Sequence, residues 1–160
     1  MKIIWTCDNM KYTWNIVVAV IINLTIFVAD LSQVHAGATE EQMQAAGKLM
    51  RDVCLPKYPK VTEDIANDIK NGQLPNNKDA NCYVNCILEM MQAIKKGKYQ
   101  LESTLKQVEI LMPESYKAEY RAGAQACKDA TNGIKNSGNC DAAHALLTCF
   151  KNNIKIFVFP

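Results

Sequence analysis

The sequence predicts an all-α fold, a compact six-helix domain cross-linked by three disulfides. Three observations carry that prediction. Apolar residues recur at helical spacing through nearly all of residues 39–153, with almost no strand-like alternation. Thr, Pro and Gly punctuate those runs at the positions that favour helix starts and stops. Seven cysteines are present, and all but Cys7 lie widely spaced beyond a leader-like opening segment.

That opening segment sets the compartment. Residues 1–36 carry Lys2 and Lys11, the apolar run Ile16–Ala29, and Val34-His35-Ala36, whose small residues suit a secretory cleavage after Ala36. The run falls short of the roughly 20 residues a membrane span needs and contains Asn23 and Thr25, so a removed signal peptide is favoured over an anchor. Met10 offers an alternative start. Residues 37–160 then form one secreted domain whose even set of cysteines meets oxidising conditions. The formal net charge is +2 and is spread without a basic block, which argues against a nucleic-acid partner. The sole N-x-S/T acceptor, Asn23, lies in the leader.

The first predicted helix opens at Thr39, an N-cap followed by Glu40 and Glu41, and brings Met43, Ala46, Leu49, Met50 and Val53 to one side until Pro56 and Pro59 end it. The second is short, capped by Thr62 and closed by Gly72, and a turn-rich loop over 73–78 follows. The third, 79–97, has Asp79 near its start and lysines at its end, in keeping with the helix dipole. It stacks Val84, Ile87, Leu88, Met91 and Ile94, with Met90 beside them. The fourth stops before Pro113, which suits the first turn of a fifth running to Lys135. A break at Ser137 and Gly138 leads into the sixth, 139–153.

On these helices the cysteines acquire partners. Cys82 and Cys86 share a helix face but are not placed to bond each other, and C-x3-C is too wide for the usual redox or zinc element. A tight turn near Ser137 makes the fifth and sixth helices an antiparallel hairpin, which sets Cys127 opposite the neighbourhood of Cys149. Cys140 looks away from Cys149, at about 100° of rotation per residue, and must reach another helix. If one sulfur of the Cys82/Cys86 pair grips the first helix, at Cys54, and the other the sixth, the third helix staples the domain; geometry leaves both arrangements open.

The pattern C-x27-C-x3-C-x40-C-x12-C-x8-C spans the whole domain. It resembles that of the six-cysteine insect odorant-binding proteins, the family that includes pheromone-binding and general odorant-binding proteins, and its x3 and x8 intervals are the specific part. The resemblance implies bridges Cys54–Cys86, Cys82–Cys140 and Cys127–Cys149. It also implies a central hydrophobic cavity whose occupant is a small volatile molecule, an odorant or pheromone, carried through an aqueous insect secretion and delivered to an odorant receptor. Cys7 departs from the pattern, inside the leader only.

Expected cavity contacts, chosen by helical face and by position along that family's fold, are Met50, Leu88, Met91, Ile94, Leu111, Leu146, Phe150, Phe157 and Phe159. Tyr99 would add a hydroxyl from the turn after the third helix, which itself offers no Ser or Thr. Any single residue of such a stripe is ordinarily core packing, but adjacent methionines adapt to varied ligand shapes. The tail, 153–160, carries Ile154, Ile156, Phe157, Val158 and Phe159 and is too apolar to be left in water. Extended, it reaches about 27 Å. Phe157 to Phe159 are therefore expected to line or lid the cavity, with Arg51, Arg121 and Tyr99 as candidate partners for the Pro160 carboxylate. His144, the lone histidine after the leader, is expected on a helix surface, so no histidine switch is supported.

Catalysis is not supported: no nucleophile–base pair, no metal-ligand spacing and no cofactor motif is present in the sequence. The expected partner is a small hydrophobic ligand, with no stable membrane insertion and the chain a monomer or weak homodimer. The alternatives are a secreted helical protein acting through its outer surface, as a signal or a seminal or glandular protein, and a lipid-binding scavenger outside olfaction.

Overall fold

In a computed structural model, which describes Val17, Val18, Val20, residues 37–135 and residues 140–160, the first helix of the domain begins where its capping residues place it. The chain divides into two compact units, Met1–Ala36 and Gly37–Pro160. The leader with its cleavage site, three valines aside, and the turn at Ser137 and Gly138 lie outside the described residues. Among the described residues no helix is long and apolar enough to cross a membrane.

Helix α1, Glu40–Cys54, starts with a capping box: the Thr39 hydroxyl accepts the Gln42 N–H while the Gln42 side chain accepts the Thr39 N–H. Its inward side matches the one the apolar pattern indicates only in part, with Met43, Ala46 and Met50 half-buried on it. Gly47 and Cys54 are buried, whereas Leu49 and Val53 are 67% and 47% exposed. Cys54 is bridged to a neighbour and the chain's last residue lies over Gly47, contacts that a hydrophobicity pattern does not register. A 3-10 turn, Leu55–Lys57, holds Pro56 and ends α1. Helix α2, Glu63–Lys70, is capped by Thr62, which accepts from Ile65 N–H, and closes at Gly72, whose φ of +81° needs no Cβ penalty.

Helix α3, Lys78–Met90, begins at Asn77, whose side chain accepts the Ala80 N–H. It runs through the core with Tyr83 and Ile87 fully buried. The predicted extension to Gly97 is corrected here: the helix stops at Met90, Gln92 turns at φ 54°, and two short strands follow, β1 (Ile94–Lys95) and β2 (Lys98–Tyr99), paired antiparallel. Lys96 and Gly97 turn at φ 52° and 73°, the positive pair a tight hairpin requires. Two-residue strands are too short to show alternation.

Helix α4 spans Leu101–Leu111 and α5 spans Glu114–Ala126, with Pro113 at the N-cap. The predicted run of α5 to Lys135 is shortened, with turns from Cys127 to Gly133. Helix α6, Asp141–Asn153, starts after Cys140, which sits at φ 57°. It packs most extensively along α3, while α4 and α5 pair with each other. Bridges join Cys54–Cys86, Cys82–Cys140 and Cys127–Cys149, over sequence separations of 32, 58 and 22. Helix α3 therefore holds the end of α1 by one sulfur and the start of α6 by the other, so no two residues of the Cys82/Cys86 face need bond each other.

Candidate functional site

Where α3 through α6 diverge, an almost wholly apolar cavity of about 70 Å³ remains. Leu88 comes from α3, Thr104, Val108 and Leu111 from α4, Tyr120 from α5, and Leu146 and Phe150 from α6. The C-terminal tail supplies the remaining side through Ile154, Phe157, Val158 and Phe159. Cavities that hold small molecules measure about 300–1,000 Å³, so an occupant must push lining side chains aside. Met91 and Met112 are among them, and a thioether chain repacks at low cost.

The tail is held by side chains of α5. After α6 the backbone turns extended at Ile154, and Glu119 Oε1 accepts the N–H groups of Lys155 and, at 3.0 Å, Ile156. Tyr120 Oη accepts the Val158 N–H at 2.8 Å and donates to the Ile156 carbonyl at 3.1 Å. Burial pushes the Tyr120 phenol up to about 12, against the opposing effect of its bond to Val158. Phe157 and Phe159 stack with ring centres 6.4 Å apart, and Phe159 is buried. Pro160 reaches α1, where its ring would stand 3.5 Å from a Cβ at Gly47. The tail thus runs from α5 to α1 and forms one side of the cavity.

Of the residues expected at the site, Leu88, Met91, Leu111, Leu146, Phe150, Phe157 and Phe159 gather around this cavity. Met50 does not. It lines an open groove between α1 and the tail, which shares Phe157 and Phe159 with the cavity as a common wall. Ile94 is buried in the core from β1 and reaches neither space, because α3 ends before it. Tyr99 stands behind the wall, edge-on to Phe150 at 6.1 Å, with its hydroxyl donating to the Ala124 carbonyl at 3.4 Å. Desolvation pushes it up to about 12.

None of the residues suggested for the Pro160 carboxylate is free for it. Arg51 binds Glu63 and Asn67, Arg121 binds Glu109, and Tyr99 is turned to Ala124. His144 is half-buried rather than on the surface, lining a separate void of about 10 Å³ with Asn81 and Leu147. Among the described residues no group of His, Cys, Asp or Glu is arranged to hold a metal. Thr104, Val108, Met112, Tyr120 and Ile154 were not expected at the site. Thr104, Val108 and Leu111 are spaced along one face of α4, a signal available in the sequence but interrupted by the polar Thr104.

A family model described as the PBP/GOBP family matches residues 36–153. The chain belongs to this PBP/GOBP family. It is similar to general odorant-binding protein 19a of Drosophila melanogaster, 67% identical over 137 residues that cover 86% of this chain and 94% of that protein. It is also similar to general odorant-binding protein 72 of Anopheles gambiae, 41% identical over 122 residues, or 76% and 98% of the two chains. Among solved structures, odorant binding protein 4 of Chrysopa pallens matches with a TM-score of 0.66 at 34% identity, covering 77% of this chain and 99% of that one. Apis mellifera odorant binding protein 5 matches at 0.67 and 26% identity, covering 78% and 99%. PBP/GOBP proteins are binding and carrier proteins rather than enzymes.

Proposed function

We propose that this PBP/GOBP protein is an extracellular carrier that takes a small hydrophobic odorant or pheromone into the cavity among α3–α6 and moves it through an aqueous secretion toward an olfactory receptor. The observation that carries the reading is the apolar cavity lined on one side by the chain's own C-terminal tail. A filled core is more stable than one with a void, so a hollow kept by three cross-links favours an occupant. Leu88, Met91, Leu111, Leu146, Phe150, Phe157 and Phe159 make the contacts, residues 1–36 serve as a removed leader, and the carrier works as a monomer or weak homodimer.

The test is displacement of an apolar fluorescent probe from the oxidised protein, beside a variant truncated after Asn153. The expected result is micromolar-range probe binding, weakened by the truncation. Equal binding by both forms would remove the tail from the site and keep the carrier. A folded, fully bridged protein that bound nothing across a varied panel of ligands would overturn the carrier reading in favour of a surface-acting protein.

A further inference from the structure

Two Asn-Gly pairs occur in the domain, Asn71-Gly72 and Asn132-Gly133, and the fold treats them differently. The pair matters chemically because glycine carries no Cβ to shield its amide nitrogen from the carboxamide of the asparagine before it. At the end of α2 that nitrogen is spent: Gly72 is buried, its N–H donates to the Ile69 carbonyl at 2.9 Å, and its Cα faces Lys151 and Phe157. The Asn71 N–H is bonded in turn to the Asn67 carbonyl. Asn132-Gly133 lies in the turns after α5, where both residues are exposed and a Cβ at Gly133 would meet nothing within 4 Å. Among the described residues the Gly133 N–H has no hydrogen-bond partner, and the Asn132 side chain is held only by its exposed Nδ2 bond to Asp129 Oδ1, at 2.8 Å.

We propose that Asn132-Gly133 is a site of spontaneous deamidation and isomerisation through which the protein ages, while the hydrogen bonds around Asn71-Gly72 keep that pair intact, a chemistry that holds whatever the cavity binds. The Gly133 amide nitrogen attacks Cγ of Asn132. The N–Cγ bond forms, the Cγ–Nδ2 bond breaks, and Nδ2 leaves as ammonia with the Gly133 amide proton. Water then opens the resulting succinimide. Cleavage at Cγ gives aspartate, and cleavage at the backbone carbonyl gives isoaspartate, whose side chain has become the main chain. Nothing is oxidised or reduced, and water is the only co-reactant. Either product lowers the formal net charge of +2 by one and adds a carboxylate close to that of Asp129, to which the amide had donated. Isoaspartate also lengthens the backbone directly after Thr131, a buried residue whose Oγ1 accepts the Tyr99 N–H at 3.0 Å. That bond fastens the hairpin to the turns, so ageing at Asn132 loosens the strand that sets Tyr99 behind Phe150.

The experiment incubates the oxidised, folded protein in warm, mildly alkaline buffer and follows its tryptic peptides by mass spectrometry, with the modified residue located by fragmentation and isoaspartate counted by enzymatic methylation. Cleavage after lysine leaves Asn132 as the only asparagine of peptide 129–135 and places Asn71 in peptide 71–78. Asn132 is expected to deamidate about tenfold faster than Asn71 in the folded protein, and the two rates to converge once the protein is reduced and unfolded. The Tyr99 amide is expected to exchange its hydrogen faster in the aged protein than in the fresh one. In Asn132→Gln, whose longer side chain closes the ring poorly, incubation is expected to leave that exchange unchanged. Equal rates at the two pairs in the folded protein, or a faster one at Asn71, would overturn the assignment. A Tyr99 amide that exchanged alike in aged and fresh protein would overturn the loosening of the hairpin.

Discussion

Gly123 lets the tail come down onto α5. A Cβ built there would stand 2.6 Å from Ile154 Cγ2, closer than two carbons approach, so Gly123→Ala must displace the tail or strain the helix. We expect it to cost about 1–3 kcal/mol in chemical denaturation, as overpacking does. No change in the denaturation midpoint would mean that Ile154 moves aside freely. The tyrosines make a second residue-scale prediction. Tyr99 and Tyr120 are raised by burial from an ordinary value of 10.0 to about 12. A raised acid contributes stability that is complete below its ordinary value and is lost as pH rises through the raised one. The fold and the tail clamp are therefore expected to be indifferent to these groups at neutral pH and to loosen between about 10 and 12, with both phenols ionising late in an ultraviolet titration. Ionisation of every tyrosine near the ordinary value with the fold intact would contradict the burial seen for them.

At the scale of elements, the tail is held in place by its bonds to one helix. Glu119 satisfies two of its backbone amides and Tyr120 a third, so an apolar strand with no sheet beside it is still paired. Glu119→Ala removes the acceptor that two of those amides share, in an exposed part of the chain. Carboxypeptidase is then expected to trim the C-terminus faster than in the wild type, with weaker retention of an apolar probe. Trimming at the wild-type rate would place the hold on the tail in Tyr120 and the buried Phe159 alone. The two-stranded hairpin is the other element with consequences. By ending α3 at Met90 it carries Ile94 into the core and sets Tyr99 edge-on behind Phe150, supporting the cavity wall rather than forming it.

For the whole molecule, the cross-links divide the work unequally. Cys82–Cys140 closes a sequence separation of 58 and Cys127–Cys149 one of 22. Chain entropy makes the longer loop the more stabilising. Replacing Cys82 and Cys140 together by Ala is expected to cost about 1 kcal/mol more than replacing Cys127 and Cys149 together, on a base of about 2–4 kcal/mol for either bridge. Equal losses in denaturant titrations would show that native packing, rather than loop length, sets their worth. Helix α3 is the member that all of this braces, held at Cys82 and Cys86 and lending Leu88 to the cavity.

Much of this was legible in the chain. The helix starts at Thr39 and Thr62, the stop at Gly72 and the break before Pro113 are local chemistry: a cap, a left-handed turn or a missing N–H acts on its own few residues, whatever surrounds them. The Cys127–Cys149 pair followed from the helical hairpin, the other two only from likeness to a known cysteine pattern, and the apolar end of the chain announced that it needed cover. What tertiary structure alone decided is which faces meet. Gly47 faces inward and Leu49 outward because Pro160 and Cys86 lie on one side of α1, and no periodicity within α1 encodes where those distant residues come to rest. Thr104 reads as an ordinary polar helix residue until four helices and a tail enclose it, since burial is a property of what surrounds a side chain and not of the side chain itself.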